Sequence, residues 1–128
     1  MILLDTHAWI WWESDPHLLS RTAERTIREA DGIGVSAISC WEVAMAAAKG
    51  RIELDRDPLD WIEQALSRPR VSLLSLTPAI AVRSTRLGRS FHGDPADRLI
   101  VATALLESAR IITKDRKILD YPAVDGVW

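Results

Sequence analysis

Short apolar runs alternate with longer stretches of helical periodicity along the whole chain. The runs are Ile2-Leu3-Leu4, Ile33-Gly34-Val35, Val71 to Leu76, Ile111-Ile112-Thr113 and a final Ala123 to Trp128. Unbroken apolar runs without apolar–polar alternation suit strands covered on both faces of a parallel sheet. Helices with recognisable starts lie between them. Ser20 is placed to cap a helix over 21–30, and Asp57-Pro58 opens one with Leu59, Ile62, Ala65 and Leu66 on a single face. Thr77-Pro78 and Asp94-Pro95 repeat the cap-then-proline start. The segment Ala96 to Ser108 is apolar nearly all round, so its helix is expected to be largely buried. Strand alternating with helix predicts an α/β three-layer sandwich, α/β/α, around a mainly parallel sheet. With no internal repeat and no linker, residues 1–128 read as one domain.

Composition narrows the function. The 128 residues are 48% hydrophobic and 27% charged, a globular balance that excludes disorder and coiled coil. Area scaling for this length predicts a folded surface of about 6,800 Å² and burial of about two-thirds of the extended chain. Sixteen Lys and Arg against eighteen Asp and Glu give a net charge of −2, which excludes a generic basic nucleic-acid coat. A nucleic acid would have to be held by a local patch. A single cysteine, Cys40, fits a reducing compartment, and Asp5 interrupts the opening apolar run before a signal-peptide core can form. No run approaches a membrane span, so the expectation is a cytoplasmic protein with no membrane partner.

Surroundings single out a few of the acids. Asp5 directly follows the first strand, and Glu42 sits in the apolar stretch Ile38-Ser39-Cys40-Trp41-Glu42-Val43 just past the second. Asp97 lies in the first turn of the buried helix, and Asp115 follows the strand at Ile112 by a few residues. In an open parallel sheet, strand C-termini and helix N-termini share an edge where ligands bind. Carboxylates converging there repel one another unless a counter-charge is present. Oxygen-only donors favour Mg²⁺ or Mn²⁺, and the lack of a Cys/His cluster speaks against zinc.

Four segments occur in order: Asp5-Thr6-His7, Ser39-Cys40-Trp41-Glu42-Val43-Ala44, His92-Gly93-Asp94-Pro95-Ala96-Asp97-Arg98-Leu99-Ile100 and Ile112-Thr113-Lys114-Asp115. Together they resemble the PIN-domain ribonucleases, specifically the VapC-like toxins of bacterial toxin–antitoxin pairs. The resemblance spans essentially the whole chain. It implies a PIN-like α/β/α fold and a Mg²⁺- or Mn²⁺-dependent endoribonuclease. Asp5, Glu42, Asp97 and Asp115 would be its catalytic and metal-holding residues, with Asp94 as a further acid. It also implies an RNA substrate, a cognate antitoxin and a homodimer. Cys40 and Lys114 depart from the commoner family residues, outside the acid set.

Each assignment has a plainer alternative. Asp94 and Asp97 also fit helix capping and complementation of the helix dipole. Asp5 is placed to cap the helix after it, and Asp115 to start a turn; Glu42 is harder to explain that way, amid apolar neighbours. Thr6, Ser39 and Thr113 flank the acids and are candidates for orienting them, or ordinary caps. Arg83, Arg86 and Arg89 are spaced as a stripe along the helix opened by Pro78, and Arg98 follows Asp97; Arg83, Arg86 and Arg98 are candidates for substrate phosphate. Trp9, Trp11 and Trp12 exceed what one helix face is expected to bury, which points to a docking surface for the antitoxin. A phosphoacceptor receiver domain would need an acid after its third strand, where Thr77-Pro78 stands, and a paired-acid phosphatase fails at Asp5-Thr6-His7. A nuclease-like fold that only binds RNA differs in predicting no cleavage.

Overall fold

Each predicted strand forms, and the two longest apolar runs, Val71 to Leu76 and Ala123 to Trp128, are trimmed to shorter strands. A computed structural model describes all of residues 1–128. The strands are β1 (Ile2–Leu4), β2 (Ile33–Ser36), β3 (Val71–Leu74), β4 (Arg110–Ile112) and β5 (Gly126–Val127). All neighbours pair in parallel, in the order β3-β2-β1-β4-β5. The helices are α1 (Thr6–Ser14), α2 (Arg21–Glu29), α3 (Ala37–Ala48), α4 (Pro58–Leu66), α5 (Pro78–Ser84), α6 (Pro95–Glu107) and α7 (Arg116–Leu119), with one 3-10 turn at Pro16–Leu18. The accessible surface is 7050 Å², close to the value expected from length.

The predicted caps are present. Ser20 accepts from the Ala23 amide at 3.0 Å, Asp57 from Leu59 at 2.9 Å, and Thr77 from Ile80 at 3.2 Å. Two packing expectations are corrected. Val71 to Leu76 was expected to be buried on both faces, yet β3 is an edge strand ending at Leu74, with Leu73 50% and Leu76 41% exposed. On α4 the buried side chains are Trp61 and Ala65, while Leu59 is 61% exposed. Trp61 is the larger side chain, and its ring edge meets Trp9 at 5.2 Å, so it decides which way the helix turns.

The sheet separates two apolar layers. Ile2, Leu4, Ile33, Val35 and Ile112 face α1–α4 with Trp9, Ile27, Val43 and Trp61. Leu3 and Ile111 face the other way, against Ile100, Val101 and Ala104 of α6 and Ile118 of α7. This period-two division of β1 is the physical content of the three-layer sandwich. The connections from β1 to β2 to β3 step one way across the sheet, and the crossover to β4 returns past β1. The order therefore reverses between β1 and β4. A crevice opens at the C-terminal ends of the strands at such a reversal.

Candidate active site

Asp5 sits at that reversal, at the end of β1, and is 4% exposed. Its two oxygens have different partners. Oδ1 accepts from the Thr6 amide at 2.8 Å, which caps α1, and Oδ2 accepts from the Thr113 hydroxyl just past β4 at 2.7 Å. The capping and the site readings of Asp5 are thus compatible. The His7 Nε2 accepts from the Lys114 amide at 3.0 Å, so Nδ1 carries the proton, 3.5 Å from Asp5 Oδ2. Sequence reasoning gave His7 no part here; only the meeting of α1 with the segment after β4 reveals it.

The remaining acids are carried by helices α3, α6 and α7. On α3, Ser39 and Glu42 lie one turn apart and face α1. The Thr6 hydroxyl donates to Glu42 Oε1 at 2.5 Å and lies 2.8 Å from Ser39 Oγ. On α6, Asp94 is the cap: its Oδ1 accepts from the Asp97 amide at 2.9 Å. Burial pushes the Glu42 carboxyl above its ordinary range, opposed by the Thr6 hydrogen bond and reinforced by the charges of Asp5, Asp97 and Asp94. Burial also raises Asp97, with Asp94 and Asp5 adding to it and Lys117 opposing it. Three acids from three separate elements therefore feel one another. Asp115 caps α7, its Oδ1 accepting from the Lys117 amide at 2.9 Å, while its own amide donates to Thr113 Oγ1 at 3.0 Å. Thr6 thus ties Glu42 of α3 to Asp5, and Thr113 ties the capping residue of α7, Asp115, to it through the Asp115 amide.

The loop before α6 sets where Asp97 stands. A Cβ at Gly93 would lie 2.5 Å from the Phe91 ring and 2.8 Å from the Asp97 Cβ, so only glycine lets the chain turn there. Phe91 is buried against Tyr121 at 5.2 Å between ring centroids, and the Tyr121 hydroxyl donates to the Leu87 carbonyl at 2.8 Å. Arg98 completes this brace: its Nε donates to the Gly93 carbonyl and its Nη2 to the Phe91 carbonyl, each at 3.1 Å.

Residues 2–124 match the PIN domain. The chain belongs to the PIN domain family. It is similar to Ribonuclease VapC22 of Mycobacterium tuberculosis, 40% identical over 129 residues that cover 99% of this chain and 98% of that one. Among solved structures, VapBC from Salmonella typhimurium bound to DNA matches with a TM-score of 0.72 at 19% identity, over 98% of this chain and 97% of that one. VapBC2 from Rickettsia felis, bound to a DNA fragment from its promoter, matches at 0.71 and 18%, over 98% and 97%. A toxin–antitoxin complex from Klebsiella pneumoniae matches at 0.68 and 24%, over 97% and 95%. At these identities the solved structures speak for the fold.

Several surface expectations change in this PIN domain. The arginine stripe does not exist. Helix α5 ends at Ser84, where the Ser84 and Thr85 hydroxyls take the carbonyls of Ala81 (2.6 Å) and Val82 (2.7 Å), so Arg86 and Arg89 fall in the following loop. Arg83 and Arg86 are exposed, whereas Arg98 is spent on the loop carbonyls. Of the α1 tryptophans, Trp9 is fully buried, Trp12 lies under the Arg68 guanidinium at 3.7 Å, and Trp11 packs on Trp128 and His7. The surplus aromatic surface is instead at Trp41, 55% exposed beside Glu42.

The donor set suits a hard divalent ion: carboxylate oxygens only, desolvated and mutually repelling. No three His, Cys, Asp or Glu side chains stand gathered to hold a metal ion. The Lys117 ammonium occupies the approach instead, 3.3 Å from Asp97 Oδ2 and 3.9 Å from Asp115 Oδ2. The sequence carried no signal for Lys117, two residues past Asp115 on a helix too short to predict.

Proposed function

We propose that this PIN domain is a Mg²⁺- or Mn²⁺-dependent endoribonuclease, the toxin of a toxin–antitoxin pair. One observation supports this reading above the others: Glu42 of α3 and Asp97 of α6 are partly buried beside Asp5 at the end of β1, and burial first, then the charges of neighbouring acids, raises both carboxyls. A fold that merely bound RNA would have no use for such repulsion at its crevice. Asp5, Glu42, Asp97 and Asp115 would hold the ion, which supplies an activated water and charge stabilisation at the leaving oxygen. Thr113 and the Thr6 amide orient Asp5, Thr6 orients Glu42, and the Asp94 cap fixes the first turn that carries Asp97. Asp94 acts here as cap rather than ligand, and Arg98 as a brace for the loop rather than a phosphate contact. Exposed Arg83 and Arg86 remain candidates for substrate phosphate.

The relatives named for toxin–antitoxin complexes support an antitoxin partner; a cytoplasmic setting, where RNA is reached, belongs to the same proposal. A homodimer is part of the same reading, and the exposed apolar residues Leu73 and Leu76, on and just past the edge strand β3, offer it a surface. No helix is long and apolar enough to cross a membrane.

The test is cleavage of single-stranded RNA by partner-free protein with Mg²⁺ or Mn²⁺. Asp97→Asn is expected to lower the rate by at least about 100-fold, a typical loss for a charge-stabilising group, with the fold intact. Asp94→Asn is expected to retain cleavage, because Asn caps as well as Asp. Cleavage that survives Asp97→Asn and disappears with Asp94→Asn would reverse the two roles; cleavage indifferent to both would remove them from the site, and no cleavage by wild type with either ion would end the nuclease reading.

A further inference from the structure

Lys117 is the one lysine or arginine paired with an acid of the crevice. Its ammonium bridges two elements, Asp97 in the first turn of α6 and Asp115 at the cap of α7. The neighbouring cations are otherwise committed. Arg98 binds the carbonyls of Phe91 and Gly93, Arg116 pairs with Asp120 at 2.7 Å, and the Lys114 ammonium lies 5.8 Å from the centre of the Trp11 ring. The backbone of Lys117 is anchored twice, by its amide on Asp115 Oδ1 and by the buried Ile118 beside it. Its side chain is 48% exposed and free to swing outward, while Asp97 is only 14% exposed and sits among Asp94 and Asp5. Without Lys117, the Asp97 charge would have like charges around it and no positive partner.

We propose that the Lys117 ammonium is a tethered counter-cation for the acidic crevice, which a divalent ion must displace from Asp97 and Asp115, so that Lys117 sets the metal concentration at which the site fills. The proposal rests on the metal-dependent reading above. A mobile ion and a tethered ammonium compete for the same carboxylate oxygens, because both neutralise the same repulsion. The ammonium holds the crevice together while metal is scarce. It also makes each binding event break a pre-existing ion pair, which lowers apparent affinity.

The experiment is a Mn²⁺ titration of the full chain, free of RNA and of any partner, read by the loss of the free-ion paramagnetic resonance signal. Lys117→Met removes the charge at nearly constant length, Lys117→Gln removes it while staying polar, and Lys117→Arg keeps it. Both neutral variants are expected to bind Mn²⁺ about three- to tenfold more tightly than wild type, the range set by losing two partly exposed ion pairs. Lys117→Arg should stay near wild type. In EDTA the neutral variants should melt below wild type, and the gap should close at saturating Mn²⁺. Unchanged or weaker Mn²⁺ affinity in both neutral variants overturns the counter-cation role. If no variant and not wild type binds Mn²⁺, the metal-dependent reading fails as well. Wild type that binds Mn²⁺ beside unaltered variants sinks this inference alone.

Discussion

Glu42 and Asp97 carry their charges in surroundings that disfavour them. Both carboxyls are raised chiefly by burial, so the folded protein holds their protons more tightly than the unfolded chain does. Stability contributed by such a group is lost as pH rises through its raised folded pKa and regained as pH falls toward its unfolded one. Glu42→Gln keeps an acceptor for the Thr6 hydroxyl and removes the charge. At pH 7 without metal this variant is expected to be more stable than wild type, on the order of half a kcal/mol after allowance for solvent screening. The advantage should shrink as pH falls below the raised value, because wild type then takes up its proton. Paired denaturation series at several pH values check this. An advantage that grows toward acid would contradict the burial of Glu42.

At the scale of single elements, α6 decides the site and its two ends behave differently. At the N-terminus, Gly93 has no room for a Cβ against Phe91 and Asp97. Gly93→Ala is expected to destabilise by about 1–3 kcal/mol, the range for overpacking, and to lower cleavage by displacing Asp97. At the C-terminus, Ser108 adopts the left-handed conformation at φ 51°, where its amide meets the carbonyls of Ala104 and Leu105. Glycine takes that conformation without strain, so Ser108→Gly should stabilise by about 0.5–1 kcal/mol with cleavage unchanged. Thermal melting of both variants, with an activity assay, separates the ends. A Gly93→Ala protein as stable and active as wild type would mean that the loop before α6 does not position Asp97.

Across the whole molecule, repulsion among acids from β1, α3 and α6 is a load that the two apolar layers support. A cation binding only the folded state relieves it, and at about 100 times its Kd should add roughly 2.7 kcal/mol. A rise in Tm with Mn²⁺ or Mg²⁺ is therefore expected, weakened by Asp5→Asn. A melting curve indifferent to both ions in folded, partner-free protein would remove the basis for a metal site. The same load gives the Lys117 ammonium its place in the crevice.

The apolar runs, the cap-then-proline starts and the acids at strand ends were legible because each depends on short-range sequence alone. Periodicity determined that Leu3 and Leu4 would both be covered, and capping chemistry determined where α2, α4, α5 and α6 begin. Edge and interior strands differ only in which neighbour lies beyond them, so the exposure of Leu73 on β3 was invisible until the sheet order was known. The same holds for Arg86, cut off from α5 by hydroxyls that end the helix, and for Leu59, turned outward because Trp61 turned inward. Asp5, Glu42, Asp97 and Asp115 could be picked out along the chain, but the approach of Glu42 and Asp97 to Asp5 depends on the crossover that carries α6 back past β1. Lys117 and His7 lie at that meeting through contacts to residues 20 and 107 positions away. Charges act through space, and only the tertiary fold decides which ones become neighbours.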